Sequence, residues 1–176
     1  YEIGVLLVGS EMCIRDRLHI TVGSTAKMVS KDNITNLVSS GAVVYKRQQA
    51  DLVLIALCGR LNPPTWNLPK GTPEQEESLE ETALREVQEE TGLEVQIEGD
   101  LGYIEYWFSR PSEARRFHKR VYFYLMSAIG GSVELHDQEF DVVEWIPIEK
   151  AFEILTHPTE AEVIRRAFRA LEIGVD

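Results

Sequence analysis

The chain is poor in the residues that a disulfide framework, a zinc site or a membrane span requires. Only two of its 176 residues are cysteines, Cys13 and Cys58, and their separation forms no metal-binding pair. The longest early apolar stretch, residues 3–8, is much shorter than the roughly 20 residues that span a bilayer. We therefore expect a protein of a reducing compartment, located in the cytoplasm, with no membrane partner.

Positive charge is also scarce. The 18 lysines and arginines are outnumbered by 29 aspartates and glutamates, which gives a net charge of −11. A chain of this charge repels a nucleic-acid backbone, so we expect no nucleic-acid partner. The hydrophobic content of 44% and the charged content of 27% are ordinary for a soluble globular chain of one domain. These values predict a packed core and leave the oligomeric state open.

The residue pattern predicts a mixed sheet with helices packed on its faces. Runs rich in β-branched and aromatic residues predict five strands, at residues 42–46, 52–57, 101–108, 119–126 and 142–146, the first two joined as a hairpin. Amphipathic periods predict three helices, at residues 78–90, 148–155 and 160–171, the last with Ile164, Phe168 and Leu171 facing inward. Prolines and glycines predict an ordered irregular loop over residues 62–73. The predicted fold is α/β of the α+β type.

The first predicted helix carries an unusual amount of negative charge. Residues 74–90 contain eight glutamates and one cation, Arg85. Glu86, Glu89 and Glu90 share one helix face, where each like-charge pair costs about 0.2–0.5 kcal/mol. A divalent cation that prefers oxygen ligands, such as Mg²⁺ or Mn²⁺, would offset this repulsion. A solvated acidic face is the alternative, and the glutamates alone do not decide between the two.

The spacing around these glutamates is more specific. Gly71 is followed after five residues by Glu77, and after seven more by the run Arg85-Glu86-Val87-Gln88-Glu89-Glu90-Thr91-Gly92-Leu93. Gly71, Glu77 and this run, at these spacings, match the Nudix box in full. A chance match is on the order of one in a billion per window at average residue frequencies. The chain thus resembles the Nudix hydrolases over about residues 38–172. The resemblance implies a mixed β-sheet sandwiched between helices.

The resemblance also implies a chemistry: Mg²⁺ (or Mn²⁺) is held against the pyrophosphate of a small-molecule nucleotide substrate, and water attacks phosphorus. A bound metal lowers the pKa of water and polarises phosphoryl oxygens. The resemblance assigns Glu86, Glu89 and Glu90 as metal ligands, Glu86 also as candidate base, and Arg85 as the group that orients a glutamate. Gly71, Glu77 and Gly92 are implied to be structural. Glu139, before the last predicted strand, is similar to a further catalytic glutamate of the family. Asp137 and Glu144 are close enough in sequence that a small shift of the alignment would assign this role to one of them instead.

The substrate is indicated by residues outside the box. Eight of the fifteen aromatic residues fall between Tyr103 and Tyr124, where they could stack on bases or fill the core. The runs Leu68-Pro69-Lys70-Gly71, Tyr106-Trp107-Phe108 and His118-Lys119 resemble the diadenosine polyphosphate hydrolase branch of the family. We expect substrate contacts from four residues: Lys70, Lys119, Arg120 and Tyr106.

Two alternatives stay open at this point. The same chemistry could act on an oxidised nucleoside triphosphate such as 8-oxo-dGTP, or the domain could bind nucleotides as a sensor without catalysis.

The domain boundary is a separate expectation. Residues 1–36 lack a sustained period, and residues 11–17 resemble a translated sequencing adapter, so we treat 1–36 as a segment of uncertain origin and 37–176 as the Nudix domain.

Overall fold

The computed structural model describes residues 34–48, 52–110, 113 and 115–173, so Cys13 and residues 1–33 lie outside the described part. The strands are β1 (Ile34–Gln48), β2 (Leu52–Leu61), β3 (Pro64–Asn67), β4 (Lys70–Gly71), β5 (Leu93–Ser109), β6 (Arg116–Gly131) and β7 (Val142–Pro147). The helices are α1 (Leu79–Thr91), α2 (Ile148–Ile154) and α3 (Pro158–Ile173). No helix of the described residues is long and apolar enough to cross a membrane.

The strands form one mixed sheet in the order β3-β2-β1-β6-β5, with β4 paired to β1 and β7 to β2. β1 and β6 run parallel, whereas β1 and β2 form the predicted antiparallel hairpin. β1 begins at Ile34, which pairs with Arg116, so the sheet starts three residues before the expected boundary at residue 37. The prediction of a mixed sheet with helices is confirmed.

Helices cover both faces of the sheet because successive strand residues point to opposite sides. On β1, Val43 and Tyr45 belong to the core packed by α2 and α3. Ala42 and Val44 belong to the second core, which contains the α1 residues Ala83 and Val87. Of the α3 residues predicted to face inward, Ile164 and Leu171 are buried and Phe168 packs at the core margin.

The loop predicted over residues 62–73 contains two short strands instead. β3 pairs with β2, where Asn67 lies opposite Cys58, and β4 pairs with β1, where Lys70 lies opposite Gly41. Pro64 is tolerated because it begins a strand at the edge of the sheet. The chain therefore enters the Nudix box from a segment fixed to the sheet. Cys58 is fully buried there, and burial raises the pKa of its thiol, as suits a structural cysteine.

Candidate active site

Local capping fixes both ends of α1. The Ser78 side chain accepts a hydrogen bond from the Glu81 N–H, and the Glu81 carboxylate accepts one from the Ser78 N–H, which forms a capping box. At the other end, Gly92 is left-handed with φ 69°, and its N–H donates to the Gln88 carbonyl at 2.9 Å. These caps place the three acidic residues Glu86, Glu89 and Glu90 in the last two turns of the helix.

Position 71 requires glycine because the Glu86 carboxylate lies very close to its backbone. A Cβ atom at this position would overlap the carboxyl group of Glu86. Gly71 lies in β4, opposite Ser40 of β1, so the sheet holds the backbone against that carboxylate. The space that a side chain at position 71 would need is filled by the Glu86 carboxylate.

Arg85 joins three carboxylates. Its Nε and Nη2 donate to the two oxygens of Glu77 at 2.7 and 3.0 Å, a bidentate pair. Its Nη1 donates to Glu86 Oε1 and Glu89 Oε2, both at 3.0 Å, and Nη2 also donates to the Thr72 carbonyl at 3.1 Å. Hydrogen bonding to Arg85 lowers the pKa of Glu77 to about 2. Arg85 therefore orients Glu86 and Glu89, while Glu77 holds Arg85 in turn.

Glu90 is the most deeply placed of the three clustered glutamates. Its side chain is buried, and its Oε2 accepts a hydrogen bond from the Lys70 N–H at 2.9 Å. Burial raises the pKa of Glu90 to about 8, against the opposing effect of Lys70, and the charges of Glu139 and Glu86 raise it further. Burial also raises the pKa of Glu86, to which Glu89 and Glu139 contribute. The ionised forms of both carboxyl groups are thus disfavoured by burial and by their acidic neighbours.

Glu139 reaches the site through the connection before β7. The Asp137 N–H donates to the Glu89 carbonyl at 2.9 Å, which ties this connection to the end of α1. The Asp137 side chain accepts from the Glu139 N–H at 2.8 Å, and Glu139 Oε1 lies 3.3 Å from Arg60 Nη2. The structure brings Glu139 within electrostatic reach of Glu86 and Glu90, and Asp137 holds the connection.

The donor set has the chemistry of a site for a hard divalent cation. Its candidate ligands are all carboxylates, and burial, together with the neighbouring carboxylates, raises the pKa values of Glu86 and Glu90. Among the residues that the structure describes, no three potential ligands already converge as a complete metal site. The hydrogen bonds explain this, since Arg85 Nη1 lies between Glu86 and Glu89, and the Lys70 N–H takes an oxygen of Glu90.

Lys70 requires a revised interpretation. Its Nζ lies 3.1 Å from Glu160 Oε1 and donates to the Leu68 carbonyl at 3.1 Å, and its side chain is only 9% exposed. The ammonium group is therefore committed to a buried ion pair and does not extend toward a phosphate. Sequence reasoning missed Glu160, because a glutamate in the first turn of a helix is ordinarily explained by the helix dipole.

Lys119 and Arg120 lie on opposite faces of β6, so the structure does not bring them together. Lys119 pairs in register with Tyr106 of β5, and burial lowers the pKa of Lys119, with Lys70 acting in the same direction. Arg120 bonds to Glu105 at 3.1 Å and lies 4.5 Å from the Tyr103 ring. The two side chains therefore do not face a common surface, and a substrate contact at either residue stays a prediction.

Tyr106 belongs to the same face as Lys119. Burial raises the pKa of its hydroxyl, and Lys70 and Glu160 are close enough to act on it. One row farther along the two strands, Phe108 stacks on Phe117 with ring centroids 5.1 Å apart. An aromatic surface with one partly buried cation thus adjoins the Lys70–Glu160 pair.

A family model described as NUDIX domain matches residues 35–168. The chain belongs to the Nudix family. Among curated Nudix relatives, a protein of Mycobacterium tuberculosis (strain CDC 1551 / Oshkosh) named as mutator protein MutT4 is 43% identical over 57% of this chain and 41% of that protein. The 8-oxo-(d)GTP phosphatase of Mycolicibacterium smegmatis is 32% identical over 65% of this chain and 33% of its own length. This chain therefore spans less than half of these two relatives.

Similarity extends to a second group of Nudix proteins. The asymmetrical bis(5'-nucleosyl)-tetraphosphatase of Mus musculus is 34% identical over 51% of this chain and 60% of that enzyme. The crystal structure of the C. elegans Ap4A hydrolase has a TM-score of 0.56 at 19% identity, over 78% of this chain and 99% of that one. The latter likeness establishes the Nudix fold.

Proposed function

We propose that this Nudix domain hydrolyses a phosphoanhydride bond of a nucleoside diphosphate-linked substrate and depends on Mg²⁺ or Mn²⁺. The observation that carries the proposal is the acidic site at the end of α1, where Glu86, Glu89 and Glu90 share one helix face and two of the three carboxylates are largely shielded from water. Glu86, Glu89 and Glu90 would hold the metal. When bound, the metal activates water and neutralises charge on the phosphoryl oxygens.

The protein's own residues would then position the reactants. Glu86 is our candidate for the base, since its carboxylate lies against Gly71 and is held at one oxygen by Arg85. Glu139 is a second acidic group near the same place and could take or return a proton. Substituting each separately by glutamine distinguishes them, because loss of the base lowers kcat more steeply than loss of an auxiliary group.

We propose dinucleoside polyphosphates as the preferred substrates. Lys119 supplies a cation outside the acidic site on the same face as Tyr106, and burial lowers its pKa, an effect that a neighbouring phosphate would oppose. Tyr106 and Phe108, whose ring centroids are 6.1 Å apart, offer ring surfaces beside Lys119 for a base. Glu90 acts electrostatically on Lys119, so a long phosphate chain that met a metal held by Glu90 would also bring an anionic group near Lys119.

Oxidised nucleoside triphosphates such as 8-oxo-dGTP are the second candidate. The names of the two mycobacterial relatives favour this candidate, one a mutator protein and the other an 8-oxo-(d)GTP phosphatase. The same metal site would serve both substrates, so only the base and the phosphate length distinguish them.

A substrate panel tests these proposals. The purified domain is incubated with Mg²⁺ and diadenosine tetraphosphate, diadenosine hexaphosphate, 8-oxo-dGTP or ADP-ribose, and products are resolved by chromatography. The variant Lys119→Gln should raise KM for the diadenosine compounds more than for 8-oxo-dGTP. Lys46→Gln is the matched control, because Lys46 lies over the Trp145 ring at 4.2 Å, away from this surface. Turnover of 8-oxo-dGTP alone would reject the preferred substrate class and keep the chemistry.

A binding-only sensor is tested with Glu89→Gln. Glu89 is half exposed, so its replacement should leave the fold intact. Loss of turnover with unchanged melting temperature would exclude the sensor. Nucleotide binding without turnover of any compound by the unaltered protein would favour it.

A further inference from the structure

A buried carboxylate on the side of the sheet opposite α1 is connected to the proposed metal site. Glu160, in the first turn of α3, is 2% exposed. Its Oε2 accepts a hydrogen bond from the Leu68 N–H at 2.8 Å, and its Oε1 lies 3.1 Å from Lys70 Nζ. A single side chain thus holds two alternate residues of the segment that leads into the Nudix box.

The same segment touches the site with its backbone. The Lys70 N–H donates to Glu90 Oε2 at 2.9 Å, so one residue bonds Glu160 through its side chain and Glu90 through its peptide. β1 closes the remaining side. The Pro69 carbonyl accepts from the Ala42 N–H at 3.1 Å, and a Cβ at Gly41 would overlap Pro69 and Lys70. The segment cannot shift toward β1, and Glu160 holds it from the other direction.

We propose that Glu160 is a positioning residue for Glu90 and acts through the Lys70 peptide; this inference rests on the proposed function of Glu90 as a metal ligand. A buried ion pair is an expensive way to stabilise a fold, because removing two charges from water offsets most of their attraction. The distinctive contribution of this ion pair is to orient the backbone of the segment that contains Lys70. The charge and the two bonded groups allow one placement of the Leu68–Lys70 backbone, and that placement aims the Lys70 N–H at Glu90.

Glu160→Gln isolates this role. The glutamine keeps the size of the side chain and an oxygen for the Leu68 N–H, but it removes the charge that holds Lys70 Nζ. Loss of an outer partner of a metal ligand ordinarily costs about 10- to 100-fold in metal affinity or activity. We expect at least a tenfold fall in kcat and in Mn²⁺ affinity measured by electron paramagnetic resonance, with KM at saturating metal changed less than about twofold on the same reasoning.

The control is Glu162→Gln, two residues along the same helix, whose carboxylate is 43% exposed and pairs with Arg165. This variant should match the unaltered protein in every readout. If Glu160→Gln alone fails to fold, the double variant Glu160→Gln with Lys70→Gln removes both buried charges and takes its place, with the same expected losses.

The NMR chemical shift of the Lys70 amide proton tests this inference separately from the proposed function. In the metal-free protein, the Lys70 amide proton, bonded to a carboxylate, should resonate far downfield and move upfield in Glu160→Gln. An unmoved Lys70 resonance, or unchanged kcat and Mn²⁺ affinity in a folded variant, would overturn the positioning role. If the unaltered protein neither binds Mn²⁺ nor turns over any nucleotide, the proposed function fails even where the resonance moves.

Discussion

Replacing Arg85 by lysine keeps the charge and removes the geometry on which the acidic site depends. Arg85 makes five hydrogen bonds at 2.7–3.1 Å to Glu77, Glu86, Glu89 and the Thr72 carbonyl. A lysine has one ammonium group, which cannot bond Glu77 with two parallel donors and reach the other carboxylates as well. The substitution therefore tests whether orientation or charge alone holds Glu86 and Glu89.

The expected loss follows from the number and setting of these bonds. Hydrogen bonds to charged groups contribute about 1.5–3 kcal/mol each when well sheltered. The Arg85 side chain is 22% exposed and lysine would retain part of the interaction, so we expect a net loss of about 1–3 kcal/mol. For a chain of this size that loss lowers Tm by about 2–12 °C. With Glu86 and Glu89 freed, kcat should fall by about 10- to 100-fold.

The assay combines thermal unfolding with metal-activated hydrolysis of the preferred substrate. Arg165→Lys is the matched control, because Arg165 is 53% exposed, pairs with Glu162 and lies 5.8 Å from the Phe152 ring, so its replacement should cost about 0–1 kcal/mol. Equal Tm and equal kcat for Arg85→Lys and the unaltered protein would refute the orienting role. A lower Tm with full kcat would show that Arg85 stabilises the helix without serving the site.

Three further predictions concern other parts of the molecule. Gly71→Ala should lower kcat by at least about tenfold, because its Cβ would displace the Glu86 carboxylate. Gly99→Ala is the control and should leave kcat unchanged, because a Cβ at position 99 meets nothing within 4 Å. Equal kcat values for the two variants would contradict this explanation. The Tyr45 hydroxyl donates to Glu98 at 2.6 Å, and burial raises its pKa to about 12. The folded state therefore keeps a proton that the unfolded state loses above about pH 10, and stability should fall by about 1 kcal/mol by pH 11. Denaturation measured across this pH range should show a smaller loss of stability in Tyr45→Phe than in the unaltered protein. Identical pH profiles for the two proteins would reject this prediction. Finally, Mg²⁺ at 100 times its Kd should add about 2.7 kcal/mol of stability and EDTA should remove it; calorimetry that finds no shift beyond that of NaCl at equal ionic strength would argue against a metal site.

Local signals in the sequence predicted the elements that local interactions determine. The capping residue Ser78, the apolar stripe of α1 and Gly92 lie within one segment, so the helix could be predicted within one residue at each end. The start of β5 was missed, although Leu93, Val95 and Ile97 alternate with polar residues in the pattern of a half-buried strand.

The site residues divide in the same way. Glu86, Glu89 and Glu90 share a helix face by their spacing alone, and that spacing was sufficient to predict their proximity. The opposite directions of Lys119 and Arg120 were also predictable, because neighbours on a strand point to opposite faces. The partner of Lys70 was not predictable. Glu160 lies 90 residues farther along the chain, and only the packing of α3 on the sheet brings the two charges together.

The case of Lys70 shows how a residue within a recognised run can contribute through its backbone. Its side chain is turned toward Glu160 and α3, whereas its N–H is turned toward Glu90 and α1. The two directions are linked, because Glu160 holds both the Lys70 side chain and the Leu68 N–H of the segment whose peptide faces Glu90. The residue type at position 70 is therefore constrained by the buried carboxylate of Glu160, and the site depends on the peptide. A contact between substrate phosphate and this domain is better sought at Lys119, which lies on the same face of the sheet as Tyr106.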